Sequence, residues 1–261
     1  FAPGKRFGFF PSFSVGWRIS EEPFLKKMQE SWLTNLKVRY SYGEVGSDKG
    51  APRFNYIQLF ESGGNVTFGK NQNVSFGPLY TEGSLAYHDA TWETAVKQNL
   101  GIEMTLFRKL LASIDLFKED RTGILMSRNS SAPWMGTGLP SVNIGKTKNH
   151  GLELELGWND KVGKNFSYFA KFNFSTSENR VVFKDDPNRL DDYLKAAGKP
   201  IGYVNKYLVS GNFGSIDDIF NYTQSGITNG SQNKLIPGDL IYLDYNGDGV
   251  INEKDMAPVA N

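Results

Sequence analysis

Hydrophobic and polar side chains alternate one by one along several stretches of this chain. In residues 7–19 the odd positions are Phe7, Phe9, Pro11, Phe13, Val15, Trp17 and Ile19. The even positions are Gly8, Phe10, Ser12, Ser14, Gly16 and Arg18. A period of two places one set on each face of a β-strand. Thirteen residues is long for a globular strand. It suits a tilted strand crossing a bilayer, for which about 9–11 residues suffice.

Ser20-Glu21-Glu22-Pro23 then has a capping Ser and a first-turn Pro, which predicts a short helical connection to about Trp32. Leu36, Val38, Tyr40 and Tyr42 alternate with Lys37, Arg39, Ser41 and Gly43. Charged residues on that second face suit a watery lumen, or equally a solvated sheet face. Residues 44–90 are rich in Gly, Asn and Ser and read as an irregular loop, long for a compact domain. Next, Leu100, Ile102, Met104 and Leu106 lead through a tight turn near Arg108-Lys109 to Leu110, Ala112, Ile114 and Leu116. A second irregular stretch covers 127–143. Leu152, Leu154, Leu156 and Trp158 follow, then a turn over 159–164, then Tyr168, Ala170, Phe172 and Phe174. Short and long connections alternate, as they do in a barrel with two unlike rims. The fold expected is therefore all-β: an antiparallel transmembrane β-barrel segment with long extracellular loops and short periplasmic turns.

Composition changes this picture little. The 261 residues are 39% hydrophobic and 22% charged, with a mean hydropathy of −0.42. No apolar run is long enough for a membrane-spanning helix, but barrel strands carry alternating faces and have soluble-looking averages. Aromatics reach 14% and there are 28 Gly, in keeping with aromatic girdles and tight turns. A net charge of +1 gives no argument for nucleic acid. The lack of Cys removes disulfides, thiolate metal sites and Cys nucleophiles.

Several segments resemble the SusC/RagA-type TonB-dependent outer-membrane transporters. They are Arg6 with the strand over 7–19, residues 36–43, Trp92-Glu93-Thr94 with Asn99-Leu100-Gly101-Ile102, and Asn143-Ile144-Gly145 with residues 149–156. Pro200-Ile201-Gly202-Tyr203 and residues 238–249 complete the series in family order. The resemblance implies an importer in the outer membrane of a Gram-negative bacterium, taking up oligosaccharide or peptide. It implies a SusD-like surface lipoprotein as partner, and energy from a TonB complex engaged by an N-terminal part with a plug domain. A plug-like region, a TonB box and an aromatic terminal strand are not evident. The sequence therefore reads as an interior barrel fragment, with 200–261 as an extracellular loop region.

The sharpest local motif runs from Asp244 to Asp255. It matches a calcium-loop template: Asp244, Asn246 and Asp248 at positions one, three and five, Gly249 at six, the Val250 carbonyl at seven and Asp255 at twelve. Ca²⁺ needs six to eight hard oxygens, and Gly at the sharp bend lets one short loop supply them. Ile251 at position eight is expected to pack inward, and the ion's role is expected to be structural. The bland reading is a polar Asx/Gly turn with solvated carboxylates. Asp185-Asp186, Asp191-Asp192 and Asp217-Asp218 lie in polar loop, where adjacent carboxylates seldom face one site, so no enzyme is expected. His88 and His150 lack metal-ligand spacing. Phe54, Tyr56, Phe60, Trp134, Tyr203 and Tyr207 could meet a ligand or partner, but packing among loops is the preferred reading. The main alternative is a secreted, calcium-stabilised all-β carbohydrate-binding module, which requires two packed sheets of ordinary strands. A β-rich hydrolase is weaker still.

Overall fold

The computed structural model describes residues 1–26, 32–68, 74–128, 139–187, 191–222, 225–226 and 235–259. It divides into two units, Phe1–Asp185 and Asp186–Asn261.

The first unit carries β1 (Ser12–Arg18), β2 (Leu33–Ser47), β3 (Phe60–Phe68), β4 (Val74–Glu82), β5 (Glu93–Leu106), β6 (Leu110–Met126), β7 (Val142–Val162) and β8 (Phe166–Phe183). Six of these form one antiparallel sheet in the order β1-β2-β5-β6-β7-β8, and β3 and β4 pair as a separate hairpin. β7 has 21 residues and β8 has 18. At about 3.3 Å per residue these strands far exceed the usual globular length of about 5–6 residues.

Register turns the alternation into continuous rows. One runs Val15, Tyr40, Leu100, Leu116, Leu152 and Thr176; the next runs Trp17, Val38, Ile102, Ile114, Leu154 and Phe174. Below them Met104, Ala112, Leu156 and Phe172 continue the same face. A slip of one residue would exchange the two faces, so the apolar pattern fixes the pairing. Phe172 and Phe174 stay 56% and 48% exposed, and no second layer of described residues covers this face. Aromatic pairs bracket the rows: Phe13 stacks on Tyr42 at 5.6 Å, and Phe166 on Tyr168 at 6.1 Å.

The connections at one rim include two three-residue turns, 107–109 and 163–165. In the first, Phe107 and Arg108 have φ of 54° and 60°, and Lys109 N donates to the Leu106 carbonyl at 3.0 Å. Two successive positive φ values define a type I′ turn, whose twist matches a hairpin. At the other rim, 45 residues separate β2 from β5, and the chain leaves β8 for its second unit.

Several boundaries differ from the sequence reading. Pairing in β1 begins at Ser12, because Pro11 has no N–H to donate and only accepts from Glu44 N at 2.9 Å. Phe7 and Phe9, 96% and 87% exposed, precede the strand. The connection after β1 opens as a 3-10 turn, Ile19–Glu21, and residues 27–31 lie outside the described residues. With 14 residues, it nearly equals the 15 between β6 and β7, so connection length alternates less cleanly than the sequence suggests. The stretch 44–90 is not wholly irregular: β2 extends to Ser47 and the β3–β4 hairpin stands within it. Register shifts between Ser62 and Asn65 and between Asn65 and Val66 break the alternation that would have betrayed the hairpin. The turn expected over 159–164 sits lower, since β7 stays paired to Val162.

The second unit contains β9 (Val204–Tyr207), β10 (Val209–Asn212), α1 (Ile216–Phe220), β11 (Ser225–Gly226), β12 (Leu240–Tyr242), β13 (Val250–Ile251) and β14 (Met256–Val259). Its strands pair two by two, β9 with β14, β10 with β12 and β11 with β13. Leu194, Ala196, Phe213, Ile251 and Ala257 form its buried apolar set. A sandwich would need two packed sheets; a single wide sheet with short pairs elsewhere is what the described residues form.

Candidate functional site

The face of the sheet opposite the apolar rows is charged, and its centre is Arg39 on β2. Its guanidinium donates from Nη2 to both carboxylate oxygens of Asp115 at 2.6 and 2.8 Å. Nε donates to Glu103 at 2.9 Å and Nη1 to Asn99 at 3.2 Å. Lys37 adds a second contact to Glu103 at 3.6 Å, and Ser113 donates to Asp115 at 3.3 Å. A planar five-donor group suits such a span across three strands. Gly101 makes the room: a Cβ there would stand 2.5 Å from Arg39 Cζ. Gly151 does the same for Phe117, whose Cζ would lie 2.5 Å from an added Cβ. Glu153 and Glu155 continue the face on β7, opposite Asp115 and Ser113. The wall is hydrophilic and held in place by ion pairs. It can line an aqueous passage.

The second feature is the 244–255 loop. Gly247 and Gly249 have φ of 76° and 81°, which lets the chain fold around Asp244. Asp244 accepts from Gly247 N at 2.7 Å, Asp248 N at 3.2 Å and Gly249 N at 2.8 Å. These donors, Gly249 N–H foremost, hold its carboxyl below the usual range against the cost of desolvation. Asp255 is fully buried, and accepts from Tyr245 N at 2.9 Å, Asn246 N at 3.3 Å and Asn252 N at 2.8 Å. One carboxylate oxygen each of Asp244, Asp248 and Asp255 falls within 4.8 Å of the others. Asn246 stands beside them, exchanging hydrogen bonds with Asp248. The Val250 carbonyl accepts from the Asn252 amide at 3.0 Å. Ile251 is 2% exposed, packed inward as its loop position requires.

Sequence reasoning missed what supports this loop. Tyr193 lies 5.2 Å from the ring of Tyr245 and donates its hydroxyl to the Lys254 carbonyl. Burial pushes the Tyr193 phenol up. Nothing local in the sequence links two aromatics so far apart. The paired carboxylates have structural work: Asp186 accepts from Ala196 N at 2.8 Å, Asp192 pairs with Lys195 at 2.6 Å, and Asp218 caps α1 through Gly214 N and Ser215 N. Among the loop aromatics, Phe54 packs near Tyr56 and Tyr207 near Tyr242, while Lys199 lies over Tyr203. Phe60 stays 62% exposed, and Trp134 lies outside the described residues.

A family model described as TonB dependent receptor-like, beta-barrel, matches residues 2–255. TonB-dependent receptor P39 of Formosa agariphila is 30% identical over 280 residues, covering 95% of this chain and 26% of its own length. TonB-dependent receptor SusC of Bacteroides thetaiotaomicron is 25% identical over 260 residues, covering 98% of this chain and 25% of its own. Among solved structures, the RagAB peptide importer in its "closed-closed" state superposes with a TM-score of 0.65 at 15% identity. That alignment covers 99% of this chain and 26% of the importer chain. The chain thus spans about a quarter of the length of the relatives it matches.

Proposed function

Because the chain belongs to the TonB-dependent receptor β-barrel family, a family of the Gram-negative outer membrane, we propose that it supplies part of the wall of a nutrient importer. The observation carrying this reading is the two-faced sheet. Its apolar rows stay uncovered while the Arg39 network makes the opposite face hydrophilic. Lipid on one side and water on the other satisfy both faces at once, and the outer edges of β1 and β8 are left to pair with further strands of the whole barrel. The cargo is an oligosaccharide or a peptide. The whole importer works with a SusD-like surface lipoprotein and draws energy from a TonB complex. The relatives named SusC and RagAB support this. Deleting the full-length gene should abolish uptake of one labelled glycan or peptide class, and the restored gene should return it. A surface lipoprotein should copurify with the importer. Unchanged uptake of every class would contradict the proposal.

The same reading includes a structural Ca²⁺ at the 244–255 loop, held by Asp244, Asn246, Asp248, the Val250 carbonyl and Asp255. Three carboxylates, all hard oxygen donors, converge there, and that convergence supports the reading. The ion would order the loop. Calorimetry of the full-length protein with Ca²⁺ should show binding that Asp248→Asn weakens at least about tenfold, since charge count tunes such sites. Absence of heat from the parent would exclude a bound Ca²⁺ at this loop.

A further inference from the structure

The apolar rows end differently at the two rims. At the rim of the two three-residue turns, the row beyond Trp158 and Ala170 offers Asp160, which is paired with Lys109 at 2.9 Å, and Tyr168. At the rim of the long connection, the row beyond Leu116, Leu152 and Thr176 is Lys118, His150 and Glu178. The next row is Asp120, Lys148 and Arg180, and Lys146 lies beyond Lys148 on the same face. Lys118, Lys146, Lys148, His150 and Arg180 are all exposed. Asp120 takes Lys118 at 2.7 Å, and Glu178 takes Arg180 Nε at 2.6 Å. Lys146 and Lys148 have no carboxylate partner among the described residues, so the patch keeps a surplus of positive charge.

From this we infer a binding site for phosphate-bearing lipid headgroups of the outer leaflet, formed by Lys118, Lys146, Lys148 and Arg180. The inference rests on the reading of the apolar rows as lipid-facing. Residues one and two rows beyond a lipid-facing band stand at headgroup depth, about 3.3 Å per residue along the strand. The rim with the longest connection is the external one in barrels of this kind. Cations at that depth are drawn to anionic headgroups, and their ammonium and guanidinium donors match phosphate oxygens. On the opposite face at this rim, Lys97 of β5 and Arg121 of β6 pair with Glu93 and Glu119 instead. The surplus thus belongs to the lipid side.

The test uses the full-length importer in detergent, titrated with lipid A and with the same lipid A after phosphatase treatment, with bound lipid read by native mass spectrometry. The phosphorylated form should bind the parent at least about tenfold more tightly. Joint replacement Lys118→Gln, Lys146→Gln, Lys148→Gln and Arg180→Gln should erase that preference. Lys37→Gln with Lys97→Gln on the polar face should preserve it. Equal binding of both forms by the parent overturns the phosphate site and leaves the lipid-facing band standing. Failure of the parent to bind either form overturns both. Retention of the preference by the fourfold variant overturns the assignment of these residues.

Discussion

The two faces of the six-stranded sheet share one backbone and differ in every other respect. Ile114 and Ser113 are neighbours in sequence, yet one sits among Ile102, Leu154 and Phe174 while the other hydrogen-bonds to Asp115 in the Arg39 network. In a water-soluble sheet the apolar face would be packed beneath a second layer. Here the apolar side is wide, continuous and uncovered, and the charged side is cross-linked. Alternation alone defines a strand, whereas what each face meets defines the class of protein.

A charge placed on one face or the other should have the largest effect. Ile114→Arg is expected to destabilise the full-length barrel in lipid vesicles by about 2–4 kcal/mol, as for a cation near the bilayer midplane. Ser113→Arg, one residue away, should cost under about 1 kcal/mol. Unfolding in urea with vesicle-reconstituted protein measures both. A smaller effect is expected from crowding the polar face. Gly101→Val places carbon against Arg39, and Gly151→Leu against Phe117 and the Thr176 carbonyl. Each should cost about 1–3 kcal/mol, whereas Gly157→Ala, whose nearest neighbour would stand at 3.8 Å, should be close to neutral. The smallest effect belongs to the ion pairs themselves. Arg39 and Asp115 are 36% and 15% exposed, so solvent screens their attraction. A double-mutant cycle of Arg39→Gln with Asp115→Asn should return a coupling of about 1 kcal/mol, falling as salt is raised.

Much of the sheet was legible because lipid and water impose a strict period of two on β5 to β8. Leu100 to Leu106 and Leu152 to Trp158 announce their strands and their faces together. The β3–β4 hairpin was not legible, since Ser62, Gly63, Gly64 and Asn65 interrupt its register. Pro11 marked the true start of β1, but the alternation around it hid the loss of a donor. The acidic loop was readable because its geometry is encoded within twelve consecutive residues. Its brace, Tyr193, comes from some fifty residues upstream and leaves no local trace. The Arg39 network stood between these cases. Lys37 and Arg39 were visible as one face, but their carboxylates on β5 and β6 depend on register.

Even-numbered positions from Leu110 to Leu116 and from Leu152 to Trp158 meet lipid, and the odd-numbered positions between them do not. Cys is absent from this chain, and any Cys elsewhere in the full-length importer would be replaced before single spin labels are introduced. Labels at Ile114 and Leu154, and at Ser113 and Glu155, should be compared in the full-length importer in bilayers by collision with oxygen and with a water-soluble nickel chelate. Oxygen-dominated relaxation is expected at Ile114 and Leu154, and its loss at Ser113 and Glu155. Equal oxygen access at all four positions, or nickel access greatest at Ile114 and Leu154, would contradict it.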